Sequence, residues 1–274
     1  GNELEGAKLQ VIDKDGNVTL SSEIPAGKPA TEKSAEDGTG ESQPLYMSLN
    51  HVMEYYIFAY YFQPVTEVRC TDIPYGEYYR TYGQLALSMQ KYNGAKKAYE
   101  RAIAWNPVDL DSYLGLAEVY KYQNQREKYL TVTKQAYRYC CTRATMARYY
   151  RNMAFYYLSG YEPETARACY QYSNVYYHTE NADSELKYIS EAIQQETPQT
   201  DIRAIQKLFD EKQIEPGPDS QTIGIVYKVG EILLKDGDYK LAKDCYSIVY
   251  DITQDASAEK LLNELEAAIT GTEE

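Results

Sequence analysis

The sequence has 274 residues, of which 43% are hydrophobic, and this suffices for one or two domains with their own cores. Its longest apolar run, residues 55–62, is far shorter than the ~20 residues that span a bilayer. The formal net charge of −13 disfavours binding to nucleic acid, whose phosphates repel an acidic chain.

The N-terminal residues predict a small β-hairpin over residues 1–20. Two short β-prone runs flank Lys14-Asp15-Gly16-Asn17, and glycine adopts the positive φ of a tight turn without steric cost. The acidic residues around this turn do not match a calcium loop, because Gly16 and the twelfth residue, Ile24, are wrong for one. Residues 21–44 are rich in Pro, Gly, Ser and Thr, which predicts an extended linker.

A helical pattern follows the linker. Apolar residues recur at a spacing of three to four from about Tyr46 to Phe62. Residues 63–74, interrupted by Pro64 and Pro74, predict an irregular connection.

Residues 76–109 carry the pattern around which the rest of the chain is organised. They contain Tyr79, Tyr82-Gly83, Ala86, Ala95, Tyr99, Ala102 and Pro107. This series resembles the tetratricopeptide repeat pattern W-x2-L-G-x2-Y…A-x3-F…P, a helix-turn-helix of about 34 residues. The small residue at the helix contact recurs as Gly83, Ala117, Ala154, Ala192 and Gly230, at intervals of 34, 37, 38 and 38 residues.

This recurrence predicts five repeats, at residues 76–109, 110–143, 147–180, 185–218 and 223–256. Residues 45–64 then form a half-repeat before them. Residues 257–270 form an amphipathic capping helix, which helical arrays need at their ends. The resemblance implies an all-α fold over residues 45–270, a right-handed α-α superhelix or TPR-like solenoid, preceded by the small N-terminal β-hairpin.

The chain contains 31 tyrosines and only four phenylalanines. We interpret most of these tyrosines as packing residues whose hydroxyls reach water or a backbone carbonyl. Eleven occupy packing positions of the repeats: Tyr79, Tyr92, Tyr99, Tyr113, Tyr120, Tyr150, Tyr157, Tyr170, Tyr188, Tyr239 and Tyr246. Tyr227 is the best candidate for a tyrosine that faces a ligand.

The resemblance also implies a binding groove, since the first helices of tetratricopeptide repeats build a concave face. The residues expected to line it are Arg80, Gln84, Glu118, Lys121, Arg148, Arg151, Phe155, Leu158, Ile189, Ile193, Tyr227 and Glu231. Arginines lie toward one end and apolar residues toward the other, and arginine suits carboxylates because its planar fork donates two parallel hydrogen bonds.

This arrangement favours an extended or helical peptide with an acidic end and an apolar end. The formal charge is +3 over residues 46–181, against −5 before and −11 after, which agrees with an acidic partner in the middle of the chain. The competing interpretation is that the arginines pair with nearby acids such as Glu118 and the apolar residues pack internally. Gln84 and Gly115 stand where the carboxylate clamp of chaperone-binding repeats has Asn, which disfavours that ligand.

The sequence predicts a non-catalytic scaffold that binds another protein or peptide, without a cofactor or metal. No catalytic motif is recognisable, and the two histidines, His51 and His178, are far apart. The five cysteines include no C-x-x-C pair, so we expect reduced thiols and a cytoplasmic location.

Two alternatives stay open at this point. The first is a surface-associated module that binds a glycan through exposed tyrosines, exported after removal of an N-terminal signal. The second and weaker one is RNA binding, suggested by the interleaved arginines and tyrosines of residues 138–151.

Overall fold

The structure is a computed structural model that describes residues 8–12, 18–23 and 44–271. The chain divides into two compact units, the first ending at Gln123 and the second beginning at Asn124. This division falls in the turn between the two helices of the predicted repeat 110–143.

The described part of the first unit contains four helices and two small sheets. The helices are α1 (Val52–Phe62), α2 (Tyr75–Ser88), α3 (Tyr92–Trp105) and α4 (Leu110–Tyr122). The strands are β1 (Lys8–Ile12), β2 (Val18–Glu23), β3 (Leu45–Met47) and β4 (Val68–Cys70).

The predicted N-terminal hairpin is confirmed, since β1 and β2 pair antiparallel with Lys8 opposite Glu23. β2 extends three residues into the predicted linker. The predicted turn, residues 14–17, and residues 24–43 of the linker lie outside the described residues.

The segment before α1 differs from the prediction. The helix expected from about Tyr46 begins at Val52, because residues 45–47 form β3 and pair parallel with β4. β4 lies inside the connection that was expected to be irregular. The Thr71 backbone N–H continues the pairing to the Met47 carbonyl oxygen at 2.8 Å. A strand of three residues shows no recognisable period, and its partner lies more than 20 residues away in sequence.

The helix pair α2–α3 forms the core of the first unit. Gly83 allows a close approach, because a Cβ added there would lie 3.1 Å from the ring of Tyr99. The rings of Tyr75 and Trp105 stack with their centroids 4.5 Å apart, next to the buried Tyr79. The residues that match the repeat pattern therefore specify the packing of one helix on the next.

The second unit contains eight α-helices and a short 3₁₀ helix, Tyr137–Tyr139, among its described residues. The first four helices are α5 (Arg126–Ala136), α6 (Arg143–Ser159), α7 (Pro163–Tyr176) and α8 (Glu180–Ile193). The others are α9 (Ile202–Lys212), α10 (Ser220–Lys235), α11 (Tyr239–Thr253) and α12 (Ala256–Gly271).

Two antiparallel helix pairs, α6–α7 and α10–α11, are the best-packed elements of this unit, and α12 packs on α11. The small residues Ala154, Ala166 and Ala242 are buried at these contacts, as the repeat pattern predicted. The helices of both units confirm the predicted all-α fold, and β1 and β2 are the small hairpin that was expected to precede it.

The repeat register expected over residues 185–218 is wrong. Ala192 and Ala204 were expected at helix contacts, and both are exposed. The buried residues are instead Leu186 and Ile189 on α8 and Phe209 on α9. Both α8 and α9 pack on α7, and large apolar side chains form their buried surfaces, so the small residues do not mark the helix contacts. In agreement, the expected packing residue Tyr188 is 60% exposed.

Candidate functional site

The helix α6 carries the clearest group of the expected groove residues. It is 17 residues long and begins with a capping box, in which the side chains of Thr142 and Thr145 satisfy each other's backbone N–H groups. The buried side of α6 is formed by Met146, Ala147, Tyr149, Tyr150, Asn152, Met153, Ala154 and Tyr157.

A second stripe of α6 is at least partly accessible. Its residues follow one another at intervals of three, four and three, which places them on one side of a helix. They are Arg148, Arg151, Phe155 and Leu158. We call these four residues the α6 stripe. At a rise of 1.5 Å per residue, the stripe is about 15 Å long.

The two arginines of the α6 stripe have no carboxylate within ion-pair distance among the described residues. Arg148 is exposed, and Arg151 is half-buried with its Nη1 3.5 Å from the Tyr177 carbonyl oxygen. Burial lowers the pKa of the Arg151 guanidinium, and the like charge of Arg148 lowers it further. A partly desolvated pair of cations is energetically unfavourable unless an anion joins it.

The apolar half of the α6 stripe is partly buried. The ring of Phe155 meets the ring of Tyr129 edge to face, with centroids 5.3 Å apart. Leu158 lies one turn further along and is partly accessible. The stripe thus changes from cationic to apolar along the helix.

Two other expected groove residues of the second unit, both on α8, differ in burial. Ile189 is 0% exposed and belongs to the packing of α8, whereas Ile193 is half-buried at the end of that helix. The burial of Ile189 follows from the different register of residues 185–218.

The expected groove residues of α10 have partners of their own. Tyr227 packs edge to face on Tyr246, with ring centroids 5.3 Å apart. Glu231 pairs with Lys228 at 2.7 Å.

In the first unit, Arg80 forms an internal ion pair with Asp109. Its Nη1 lies 2.7 Å from Oδ1 of Asp109, and both side chains are largely buried. Asp109 also accepts hydrogen bonds from Ser112 and Asn50. Burial raises the pKa of Asp109, while the Ser112 hydrogen bond and the charge of Arg80 oppose this shift.

The other expected groove residues of the first unit lie at the surface. Glu118 and Lys121 pair with each other at 3.7 Å. The exposed Gln84 and the half-buried Glu118 line an open cleft of about 380 Å³ together with Leu87, Tyr99 and Tyr122. Neither this ion pair nor the lining of this cleft contains two neighbouring arginines like those of α6.

Sequence reasoning missed a second cleft, of about 650 Å³, in the second unit. One wall is formed by Lys134, Tyr137 and Arg138, and the other by the loop between α9 and α10, residues 213–219. The hydroxyl of the fully buried Tyr150 holds this loop. It donates to the Glu215 carbonyl oxygen at 2.8 Å and accepts from the Gly217 N–H at 2.6 Å.

The contacts of Tyr150 join residues about 65 positions apart, so a local pattern does not reveal them. The only sequence signal was the Pro216-Gly217-Pro218 series. Gly217 has a φ of +124°, which glycine adopts without steric strain.

Antiparallel helix pairs with small residues at their contacts define a helical repeat protein. The family model of the tetratricopeptide repeat matches residues 76–109, which contain α2 and α3. The chain therefore carries a tetratricopeptide repeat, and the predicted resemblance is confirmed. No curated protein matches the chain by sequence.

Several solved structures resemble the chain at low sequence identity. The anaphase-promoting-complex heterotetramer Cut9–Hcn1 is 13% identical with a TM-score of 0.40, over 70% of this chain and 36% of that one. This chain thus matches only about a third of that protein's length. The yeast Sti1 TPR2AB domain is 12% identical with a TM-score of 0.40, over 72% and 71%. PilF of Pseudomonas aeruginosa is 15% identical with a TM-score of 0.38, over 72% and 86%.

Within residues 8–12, 18–23 and 44–271, no helix combines the length and the apolar character that a bilayer crossing requires.

Proposed function

We propose that the chain is a non-catalytic scaffold that binds a segment of a partner protein along the α6 stripe. The observation that carries this proposal is the pair formed by the exposed Arg148 and the half-buried Arg151, which has no carboxylate partner among the described residues. A carboxylate from a partner would neutralise this pair and form charge-assisted hydrogen bonds, which are the stronger kind. Tetratricopeptide repeats are typically interaction modules, which supports the same class of function.

The chemistry of the α6 stripe supports one class of ligand. We infer a segment with acidic residues at one end, facing Arg148 and Arg151, and apolar side chains about 10 Å away, facing Phe155 and Leu158. The arginines supply orientation, and the apolar end supplies burial of surface from water.

The test uses a fluorescent peptide with two adjacent Glu residues, one spacer residue and two Leu residues, which in an extended chain places the two pairs about 10 Å apart, and measures anisotropy with the full chain. Replacing both Arg148 and Arg151 by Glu should weaken binding by about a hundredfold, because two charge-assisted hydrogen bonds are lost at about 1.5 kcal/mol each. The matched control replaces both Arg203 and Lys207 by Glu, which is the same charge change of −4 at two exposed positions of α9.

Three outcomes decide the proposal. Binding that is lost in the double variant, kept in the control and weakened by salt supports it. Equal binding by the double variant and the wild type removes it. Loss of glycan binding on replacing an exposed tyrosine such as Tyr161, with no effect of the arginines, would favour the glycan alternative.

A further inference from the structure

The cleft of about 650 Å³ in the second unit has walls of opposite charge. Lys134 and Arg138 lie on one wall, and Glu215 and Asp219 lie on the other. The formal charges of this lining therefore cancel, although the whole chain carries −13. We call this cleft, defined by these four residues, the charged cleft.

Hydrogen bonds hold both walls of the charged cleft in place. The Tyr150 hydroxyl fixes the loop of residues 213–219. The Thr222 hydroxyl, in the first turn of α10, donates to the Arg138 carbonyl oxygen at 2.7 Å and so ties one wall to the other. Oδ1 of Asp219 accepts hydrogen bonds from two backbone N–H groups of the same turn. The cleft is thus formed before a ligand arrives, which lowers the entropic cost of binding.

Lys134 and Glu215 are the charges of the cleft that a ligand can reach. Both side chains are exposed, and neither forms an ion pair among the described residues. Burial, followed by the charges of Asp219 and Glu215, raises the pKa of the half-buried Tyr137 hydroxyl. The two carboxylates therefore act on the interior of the cleft around Tyr137, while the exposed Lys134 supplies a positive charge.

We propose that the charged cleft binds a zwitterion, either a free amino acid or a short peptide with both ends free. The ammonium group of the ligand pairs with Glu215 and lies against the ring of Tyr137, because carboxylates and tyrosine rings both attract cations. The carboxylate of the ligand pairs with Lys134. A volume of about 650 Å³ lies within the range of small-molecule sites.

Other classes of small ligand fit the charged cleft less well. An anion would be repelled by one wall and a simple cation by the other, and an apolar ligand would desolvate the charges of both walls without pairing them. A zwitterion pairs with both. Tyr137, Pro216 and Pro218 add apolar surface for a side chain of the ligand. No residue of the α6 stripe lines this cleft, so the two proposals are independent.

The experiment is isothermal titration calorimetry of the full chain at pH 7. The probes are leucine, Leu-Ala and Leu-Ala-Ala, each at up to about 10 mM. Tightest binding of leucine indicates a free amino acid as the ligand, and tightest binding of a longer probe indicates a peptide. N-acetylation or C-amidation of that probe removes one charge and should weaken binding at least about tenfold, the effect of losing one charge-assisted hydrogen bond.

Two variants assign each end of the ligand to a wall. Lys134→Met and Glu215→Gln each remove one charge and keep the size of the side chain, and each should weaken binding of the free-ended probe about tenfold. Lys134→Met should not weaken binding of the amidated probe further, nor Glu215→Gln that of the acetylated probe, because the partner charge is already absent. The controls are Lys207→Met and Glu211→Gln, the same replacements at exposed positions of α9 outside the cleft.

Three results would overturn the proposal. The first is a wild-type chain that binds none of the three probes, and the second is equal binding of capped and free-ended probes. The third is a loss of binding in the control variants as large as in the cleft variants. Thermal melts followed by circular dichroism should coincide for all four variants, since the replaced side chains are at the surface.

Discussion

The hydroxyl of Tyr150 offers a sharp test of how this tyrosine-rich interior is held together. Replacing Tyr150 by Phe keeps the ring, which stacks on Phe209 with centroids 5.6 Å apart, and removes one oxygen. The Gly217 N–H then loses its acceptor in a buried position, and the Glu215 carbonyl oxygen loses its donor.

The expected loss of stability follows from these two groups. A buried donor without a partner costs about 1–3 kcal/mol, whereas the Glu215 oxygen is only part-buried and can recover a bond to water. We therefore expect Tyr150→Phe to lower the free energy of unfolding by about 2 kcal/mol. With a typical urea dependence of about 2 kcal/mol per molar, the midpoint falls by about 1 M.

Tyr246 provides a matched control in the same unit. It is equally buried, but its hydroxyl has no hydrogen-bond partner within the described part of the chain. Removing this hydroxyl should leave stability unchanged or raise it, since an unpaired buried polar group is unfavourable.

The urea midpoints of the two variants are measured by far-ultraviolet circular dichroism. Both substitutions lie in the second unit, so the two midpoints report on the unfolding of the same unit. Opposite or clearly different effects support the reasoning. If Tyr246→Phe destabilises as much as Tyr150→Phe, the cost belongs to the ring environment, and the hydrogen-bond argument fails.

Three further predictions concern other parts of the chain. Replacing Asp109 by Asn should destabilise the first unit by about 3 kcal/mol in urea unfolding, because it leaves Arg80 buried without its counter-charge; a loss below 1 kcal/mol would contradict this. Gly115→Ala should destabilise the first unit by about 1–3 kcal/mol, because the added Cβ would lie 2.3 Å from the ring of Tyr99. Gly224→Ala has open space around it and should stabilise α10 by up to about 1 kcal/mol. Thermal melts in which the Gly115 variant is the more stable of the two would refute this prediction. Burial raises the pKa of several tyrosines of the second unit, so they keep their protons in the fold after the unfolded chain has lost them. Stability is then retained below pH ~10 and falls above it, by about 1.4 kcal/mol per pH unit for each such tyrosine; a urea midpoint that stays constant from pH 9 to 11 would exclude this.

The sequence predicted the helix pairs well where small residues mark the contacts. Gly83 and Ala154 are both buried where helices meet, and their spacing could be recognised without any structure. The spacing of small residues gave the wrong register over residues 185–218, where α8 and α9 pack on α7 through Ile189 and Phe209 and the small residues are exposed. It also missed β3 and β4, whose pairing depends on residues distant in sequence.

The candidate site was predictable only in part. Helical spacing alone places Arg148, Arg151, Phe155 and Leu158 on one side of α6. Whether an arginine there is available depends on contacts that spacing does not reveal. Arg80 was expected to be as available to a partner as Arg148, but it forms an ion pair with Asp109, 29 residues further along the chain.

The way in which α1 is attached to the first unit has a consequence for its dynamics. Only two of its side chains are buried, and Glu54 holds it through polar contacts with Asn50 and Asn106. Helices with little buried apolar surface open locally at low free-energy cost, so the amide hydrogens of α1 should exchange with solvent faster than those of α2 and α3. A partner that covers the exposed side of α1 would slow this exchange, which links the local order of the helix to association.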